Sequence, residues 1–376
     1  MPTGLFKFED CLLKHFIRRE VWLPRCRERA EAISRTRKSA RRLKYFTFCA
    51  VGALDVLLLD REHIITRSSN DEFDTVFFFD KDDELVSETR KRIPGAIGFP
   101  AYFLEVLLDT GDGDGLATPR GSQNTRQIRR LQRNQAQRDL FLKAFPFDVI
   151  NLDVEQYLYR PKEQLPGRLT AAMRLLFEMQ MRPGLDRRGR QYTVDEFTLM
   201  FTTQVGPPNL PDEYLSYLRD SCVKRNLDRY EDLREPFSVN PNGRDVGAFF
   251  REDFDGAFKM AIPKSLSELA WERDWVIDSA RGIEVFEFIR DWIAGTYCML
   301  HMAMTVRRQA PPRERRGPGQ TSPAAEAEHR KVINRIFTEQ VVAVENVVVG
   351  SLKCDLEDDL LRLFEYRRRY YDPQPE

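Results

Sequence analysis

Four apolar runs without polar alternation constrain this chain more than any other feature. They are YFTFCAVGALDVLLL at 45–59, TVFFF at 75–79, FDVINL at 147–152 and EFTLMFTT at 196–203. A strand with one wet face alternates apolar and polar residues, whereas a strand covered on both faces does not. Helical patterns lie between the runs. One covers 82–92, and another covers 163–182, where Leu169, Met173, Leu176 and Phe177 recur at helical spacing. Residues 97–108 read as a short strand followed by a turn. Strands separated by helices predict βαβ units and a mostly parallel sheet. The expected fold class is α/β.

The rest of the chain divides around this sheet. Residues 1–44 read as a basic helical extension, with Leu12, Leu13, Phe16, Ile17 and Val21 at helical spacing before Pro24. Segment 25–44 then carries a strong excess of Arg and Lys over acids. Residues 45–236 are the expected sheet domain. Within it, 109–125 is rich in Gly, Asp, Pro and Ser and reads as a loop. It leads into a basic helix over 126–143, bearing Arg126, Arg129, Arg130 and Arg133. Residues 237–376 read as mainly helical, with helices over 265–280, 283–295 and 356–371. Residues 298–307 suit either a late strand or the end of a helix. The Pro- and Gly-rich segment 308–328 reads as a flexible connection, ending at a helix near Glu328.

Charge and residue usage exclude several classes of function. Lys plus Arg total 59 and Asp plus Glu total 59, so the chain is no uniformly basic coat for nucleic acid. Local basic patches remain, at 25–44 and 126–143. The cysteines at 11, 26, 49, 222, 298 and 354 form no CxxC, and the histidines at 15, 63, 301 and 329 form no HExxH. Neither set predicts a metal site or a disulfide framework. No uncharged apolar run approaches the ~18 residues of a membrane span. The expectation is a cytoplasmic protein without membrane contact.

In an open parallel sheet, ligands bind outside the carboxyl ends of the strands, near the point where strand order reverses. The small residues Cys49, Ala50 and Gly52 after the first run would let a ligand approach the backbone. Asp80, ending the second, is placed to bond a ribose diol. Tyr102 follows the third, and Asn151 and Asp153 end the fourth. Simpler roles stand beside these. Asp80 and Asp82 suit the cap of the following helix, Gly52 tight packing, and Cys49 the core. His301, inside an apolar run, suits a buried, hydrogen-bonded histidine.

The order of these segments resembles a class I S-adenosylmethionine-dependent methyltransferase domain, a Rossmann-like fold. The matching segments are the 45–59 turn, TVFFFDKD at 75–82, AYFLEVL at 101–107, FDVINLD at 147–153 and FTLMFTT at 197–203. A weaker likeness is to methyltransferase-derived proteins of bacterial defence clusters. The resemblance implies that Cys49, Ala50, Gly52, Asp80 and Tyr102 hold S-adenosylmethionine, and that Asn151 and Asp153 orient the methyl acceptor. The basic segments make nucleic acid the expected acceptor or partner, with protein partners also open. Three departures accompany the match. The first loop has Gly52 where the family has two or three glycines. Tyr102 stands where an acid often holds the adenine amino group. No Pro-Pro follows Asn151. The resemblance therefore implies a methyltransferase-like protein or, alternatively, a binding module on a methyltransferase scaffold that has lost catalysis. A nucleotide-binding regulator using the same crevice is a third reading.

Overall fold

The computed structural model describes residues 12–35, 41–48, 52–80, 82–108, 125–154, 168–185, 189–205, 215–231, 246–292, 295–309 and 323–372. The strands are β1 (Tyr45–Thr47), β2 (Val76–Asp80), β3 (Ile97–Pro100), β4 (Val149–Asp153), β5 (Gly184–Leu185), β6 (Gln191–Tyr192), β7 (Glu196–Gln204), β8 (Trp275–Ile277), β9 (Ile283–Trp292), β10 (Gly295–Arg308) and β11 (Val342–Ala343). Nine of them form one sheet, in the order β11-β9-β10-β7-β4-β1-β2-β3, with β8 also on β10. Strands β3, β2, β1, β4 and β7 are mutually parallel, and β10 runs antiparallel to β7, β8 and β9. The fold is α/β with a large, mostly parallel mixed sheet. β5 and β6 form a separate two-stranded pair.

Connection handedness sets the layers. From β1 the chain steps outward through β2 to β3, and its helices Leu54–Arg61 and Asp83–Arg92 pack on one face. It then crosses to β4, on the other side of β1, and steps on to β7. The helices of those steps, Phe103–Leu108, Thr125–Ala144 and Arg168–Gln180, belong to the opposite face. Right-handed crossovers in opposite directions must leave on opposite faces. Strand order therefore reverses between β1 and β4.

The absence of polar alternation in the strands now has its cause. Tyr45, Val76, Phe78, Val149 and Met200 enter one core, while Phe46, Phe77, Phe79, Ile150 and Phe201 enter the other. On the second face, Phe46, Phe79, Phe99, Phe103 and Phe147 surround Phe141 of helix Thr125–Ala144, with ring centroids 4.9–6.1 Å from it. The first face is closed by a continuous helix over residues 12–35, π-helical at Ile17–Trp22, and by the terminal helix Gly350–Tyr370.

Four expectations are corrected. The described part of the basic extension is helical over 12–35, whereas residues 41–44 are not helical and lead directly into β1. Residues 283–295, expected as a helix, supply β9 and the first residue of β10. Ile283 enters one core and Phe288 the other, and the charged Glu284 and Glu287 between the apolar residues break both the continuous apolar run and the strand period in the sequence. The expected helix over 265–280 is the end of Phe254–Trp271 followed by β8. The C-terminal region thus adds four strands to the sheet, β8 to β11, with β10 pairing with β7 across nine residues. The connection expected over 308–328 begins after β10 reaches Arg308 and ends where helix Pro323–Thr338 starts. Its centre, 310–322, and the expected loop at 109–124 lie outside the described residues.

Candidate functional site

The carboxyl ends of β1, β2, β3 and β4 lie side by side at the reversal point. Cys49, Ala50 and Val51 lie outside the described residues. The chain re-enters at Gly52 and passes through Ala53, with φ 47° and ψ 33°, into helix Leu54–Arg61. A left-handed backbone costs a residue with a Cβ on the order of 1 kcal/mol, and such positions are usually glycine. Ala53 is fully buried where the chain turns from strand to helix.

Beneath this turn lies a buried polar network. The Tyr45 hydroxyl donates to Asp55 Oδ2 (2.9 Å), as does the Thr47 hydroxyl (2.7 Å). Asn151 Nδ2 donates to the Tyr45 oxygen (3.0 Å). Burial, reinforced by the Asp55 charge, holds the Tyr45 phenol well above its ordinary pKa, so it stays protonated. Asn151 is buried, and its Oδ1 has no hydrogen-bond partner among the described residues. The network pins the first turn of helix Leu54–Arg61 to β1 and β4. Tyr45 and Thr47 lie two apart in one strand and so share a face, a signal present in the sequence.

Asp80 closes β2, and its carboxylate accepts from the backbone N of Asp82 (2.9 Å). Asp82 is the N-cap of helix Asp83–Arg92, accepting from Glu84 N (2.8 Å), so its capping role holds. Asp80 pairs in register with Pro100, and two residues later Tyr102 stands 48% exposed at the mouth of helix Phe103–Leu108.

The end of β4 has different surroundings. Asp153 is neighbour to Thr202 in β7, and Thr202 to His301 in β10, so the three form a row across the sheet. The helix over 12–35 covers this row. Lys14 pairs with Asp153, and Trp22 Nε1 donates to His301 Nε2 (3.1 Å). With Nε2 accepting, the His301 proton sits on Nδ1, which donates to Thr202 (2.8 Å). Burial pushes the imidazole down to about 3, with the Asp153 charge acting weakly in the other direction. His301 is therefore a neutral, fully bonded core residue. Lys14 and Asp153 are 139 residues apart, and nothing in the sequence signals their pairing.

Several described cations of the basic segment 25–44 are also paired within the fold. Arg25 reaches Glu284 (2.8 Å) and Thr305, and Arg29 reaches Glu196 (3.2 Å). Arg41 makes a bidentate pair with the buried Asp148 (2.7 and 2.9 Å), and Arg42 binds Asp74. The basic helix expected at 126–143 forms as Thr125–Ala144, but the side chains of Arg126, Arg129, Arg130 and Arg133 are outside the described residues. Among the described residues no His, Cys, Asp or Glu group could hold a metal ion, and no helix is long and apolar enough to cross a membrane. No protein-family model, curated protein or solved structure matches this chain.

Proposed function

We propose that the chain is a Rossmann-like, class I methyltransferase-type protein that binds S-adenosylmethionine at the β1–β4 reversal. The order β3-β2-β1-β4-β7 follows the 3-2-1-4-5 order of doubly wound nucleotide-binding sheets. The observation that carries the proposal is a conjunction at the switch point: a left-handed turn at Ala53 after β1, beside a carboxylate, Asp80, at the end of β2. In this reading the turn admits the cofactor to the backbone and Asp80 accepts from its ribose hydroxyls. Cys49, Ala50 and Gly52 would line the turn and Tyr102 the adenine side.

Isothermal titration with S-adenosylmethionine tests the reading. Asp80→Ala should weaken binding by roughly 1.5–3 kcal/mol, the value of charge-assisted hydrogen bonds. No heat and no thermal shift at millimolar cofactor would reject the proposal. A nucleic-acid acceptor is part of it, now resting on helix Thr125–Ala144, because the described cations of 25–44 are already paired. Charge reversal at Arg129 and Arg133 should then reduce the salt dependence of RNA or DNA binding. Salt-independent binding would remove that part.

A second reading, a binding module without turnover, has its own observation. Both residues expected to orient the acceptor are engaged inside the protein, Asn151 by Tyr45 and Asp153 by Lys14. Cofactor binding without methyl transfer to any nucleic acid offered would favour it.

A further inference from the structure

A second cleft lies between helix Phe254–Trp271, the first residues of β9, the end of helix Pro323–Thr338 and β11, with a volume of about 380 Å³. That size falls in the ~300–1,000 Å³ range of small-molecule sites. Strands β10, β7 and β4 stand between β9 and β1, so this cleft is separate from the β1–β4 reversal. Every residue lining it is among those the structure describes. Its walls are largely apolar, formed by Phe249, Met260, Ile283, Val285, Ile336 and Val341.

The polar groups in the cleft are unequally satisfied. Both lining cations are held by carboxylates, Lys259 by Glu287 and Arg335 by Glu339. Arg335 also donates to the carbonyls of Ser279 (3.0 Å) and Ala280 (2.9 Å). Glu284 is held by Arg25 (2.8 Å). Two acceptors are left over. Asp253 caps helix Phe254–Trp271 through Oδ1, which accepts from Gly256 N (3.1 Å), and its Oδ2 has no partner among the described residues. The other acceptor is a backbone carbonyl. Pro263 sits inside the same helix and has no N–H, so the Lys259 carbonyl one turn earlier lacks its helical donor. Asp253, Lys259 and Pro263 all line the cleft. At 1.5 Å per residue, Asp253 and Lys259 are roughly 9 Å apart along the helix axis.

A ligand that suits this cleft brings donors, because the protein's own donors are spent. An anion would meet Asp253 and Glu284, and a purely apolar molecule would leave both acceptors unpaired. We propose that the cleft binds a small amphipathic amine, its ammonium donating to Asp253, its apolar body on the walls, and a second donor at its far end reaching the Lys259 carbonyl. The site is independent of the crevice at β1–β4 and stands whether or not that crevice binds S-adenosylmethionine.

Tyramine, with an ammonium and a phenol at opposite ends of an apolar body, is the probe. In isothermal titration of the full chain it should bind with a submillimolar dissociation constant. Phenethylamine, which lacks the hydroxyl, should bind about fivefold more weakly, and 4-ethylphenol, which lacks the ammonium, about tenfold more weakly. The anionic counterpart, 3-(4-hydroxyphenyl)propionate, should give no heat. Asp253→Asn keeps the helix cap, since Asn is as good an N-cap as Asp. It should weaken tyramine several-fold and leave 4-ethylphenol unchanged. Pro263→Ala restores the helical donor to the Lys259 carbonyl and should narrow the gap between tyramine and phenethylamine. Val341→Trp should block all three ligands, and Asp80→Ala none. No tyramine binding at millimolar concentration would overturn the proposal. So would equal affinity for tyramine and its anionic counterpart, or a tyramine affinity that both Asp253→Asn and Val341→Trp leave unchanged.

Discussion

The two sides of the β1–β4 reversal share one sheet edge yet are covered differently. On the β2–β3 side, Asp80 is partly exposed and Tyr102 is half exposed at the strand ends. On the β4–β7–β10 side, Asp153, Thr202 and His301 lie beneath a helix that supplies Lys14 and Trp22. The covering helix is bound along its length, by Lys14 at one end, Arg25 in the middle and Arg29 further on, and Ile17, Val21, Trp22 and Cys26 are buried beneath it. The comparison teaches that polar residues at strand ends need not make an open site. On the β4 side the chain covers them and pairs Asp153, Thr202 and His301 with its own side chains, and on the β2–β3 side the ring is left to solvent.

The strongest way to break this contrast is to remove Lys14. Lys14→Met takes the cation from the Asp153 ion pair, whose carboxylate is largely buried, which should cost about 3–5 kcal/mol of stability in urea denaturation. Lys14→Met with Asp153→Leu should recover most of that loss, because the cost lies in the unpaired charge. If the single variant loses less than about 1 kcal/mol, the range of exposed pairs, the β4 side is as open to water as the β2 side and the comparison fails.

Acid sharpens the contrast next. His301 titrates near 6.5 when unfolded and at about 3 when folded, so the unfolded chain binds more protons between those values. Its contribution is therefore complete above pH 6.5 and declines as pH falls toward 3. Between pH 6.5 and 5 it should amount to about 2 kcal/mol of lost stability. Burial also lowers His15 and His329, with the same sign. Melting curves across this range should flatten in His301→Gln relative to the wild type. An unchanged slope would mean that the imidazole beneath Trp22 is reached by water.

The smallest effect concerns the turn after β1. Ala53→Gly removes a Cβ from a left-handed backbone and should stabilise the fold by up to about 1 kcal/mol, partly offset by the greater freedom of glycine in the unfolded chain. The same substitution should preserve or tighten S-adenosylmethionine binding. A clear loss of stability would show that the Ala53 methyl earns its place in the core.

Much of the sheet was legible in the apolar runs. The five parallel strands fall on or beside the segments expected for them, because burial on both faces leaves an uninterrupted hydrophobic signature in so few residues. That same signature failed in the C-terminal region. IEVFEFIRDW at 283–292 carries charges among its apolar residues, and only its pairing with β10 decides that it is a strand. At the candidate site, Asp80, Tyr102, Asn151 and Asp153 were visible as polar or aromatic residues in or after apolar runs; the structure sets Asp80 and Asp153 at the ends of β2 and β4 and Tyr102 just beyond β3, with Asn151 in the middle of β4. Lys14, Tyr45 and Asp55 were not singled out, since each acts through a partner that the fold must bring to it.

The sequence by itself determined which segments are apolar enough to be covered on both faces, and with that an α/β fold with helices between buried strands. Hydrophobic patterning is local, so it can be read without knowing any partner. Only the tertiary structure decided the fate of the charges. Segment 25–44 looks like a free basic surface, yet Arg25, Arg29, Arg41 and Arg42 meet carboxylates as distant as Glu284. Asp153 looks like a reactive carboxylate until Lys14 arrives on a helix from the other end of the chain. The physical reason is that a charge is costly to bury alone and tolerable in a pair. Whether it faces water or a counter-ion depends on what the fold packs against it, and that partner can sit anywhere in the sequence.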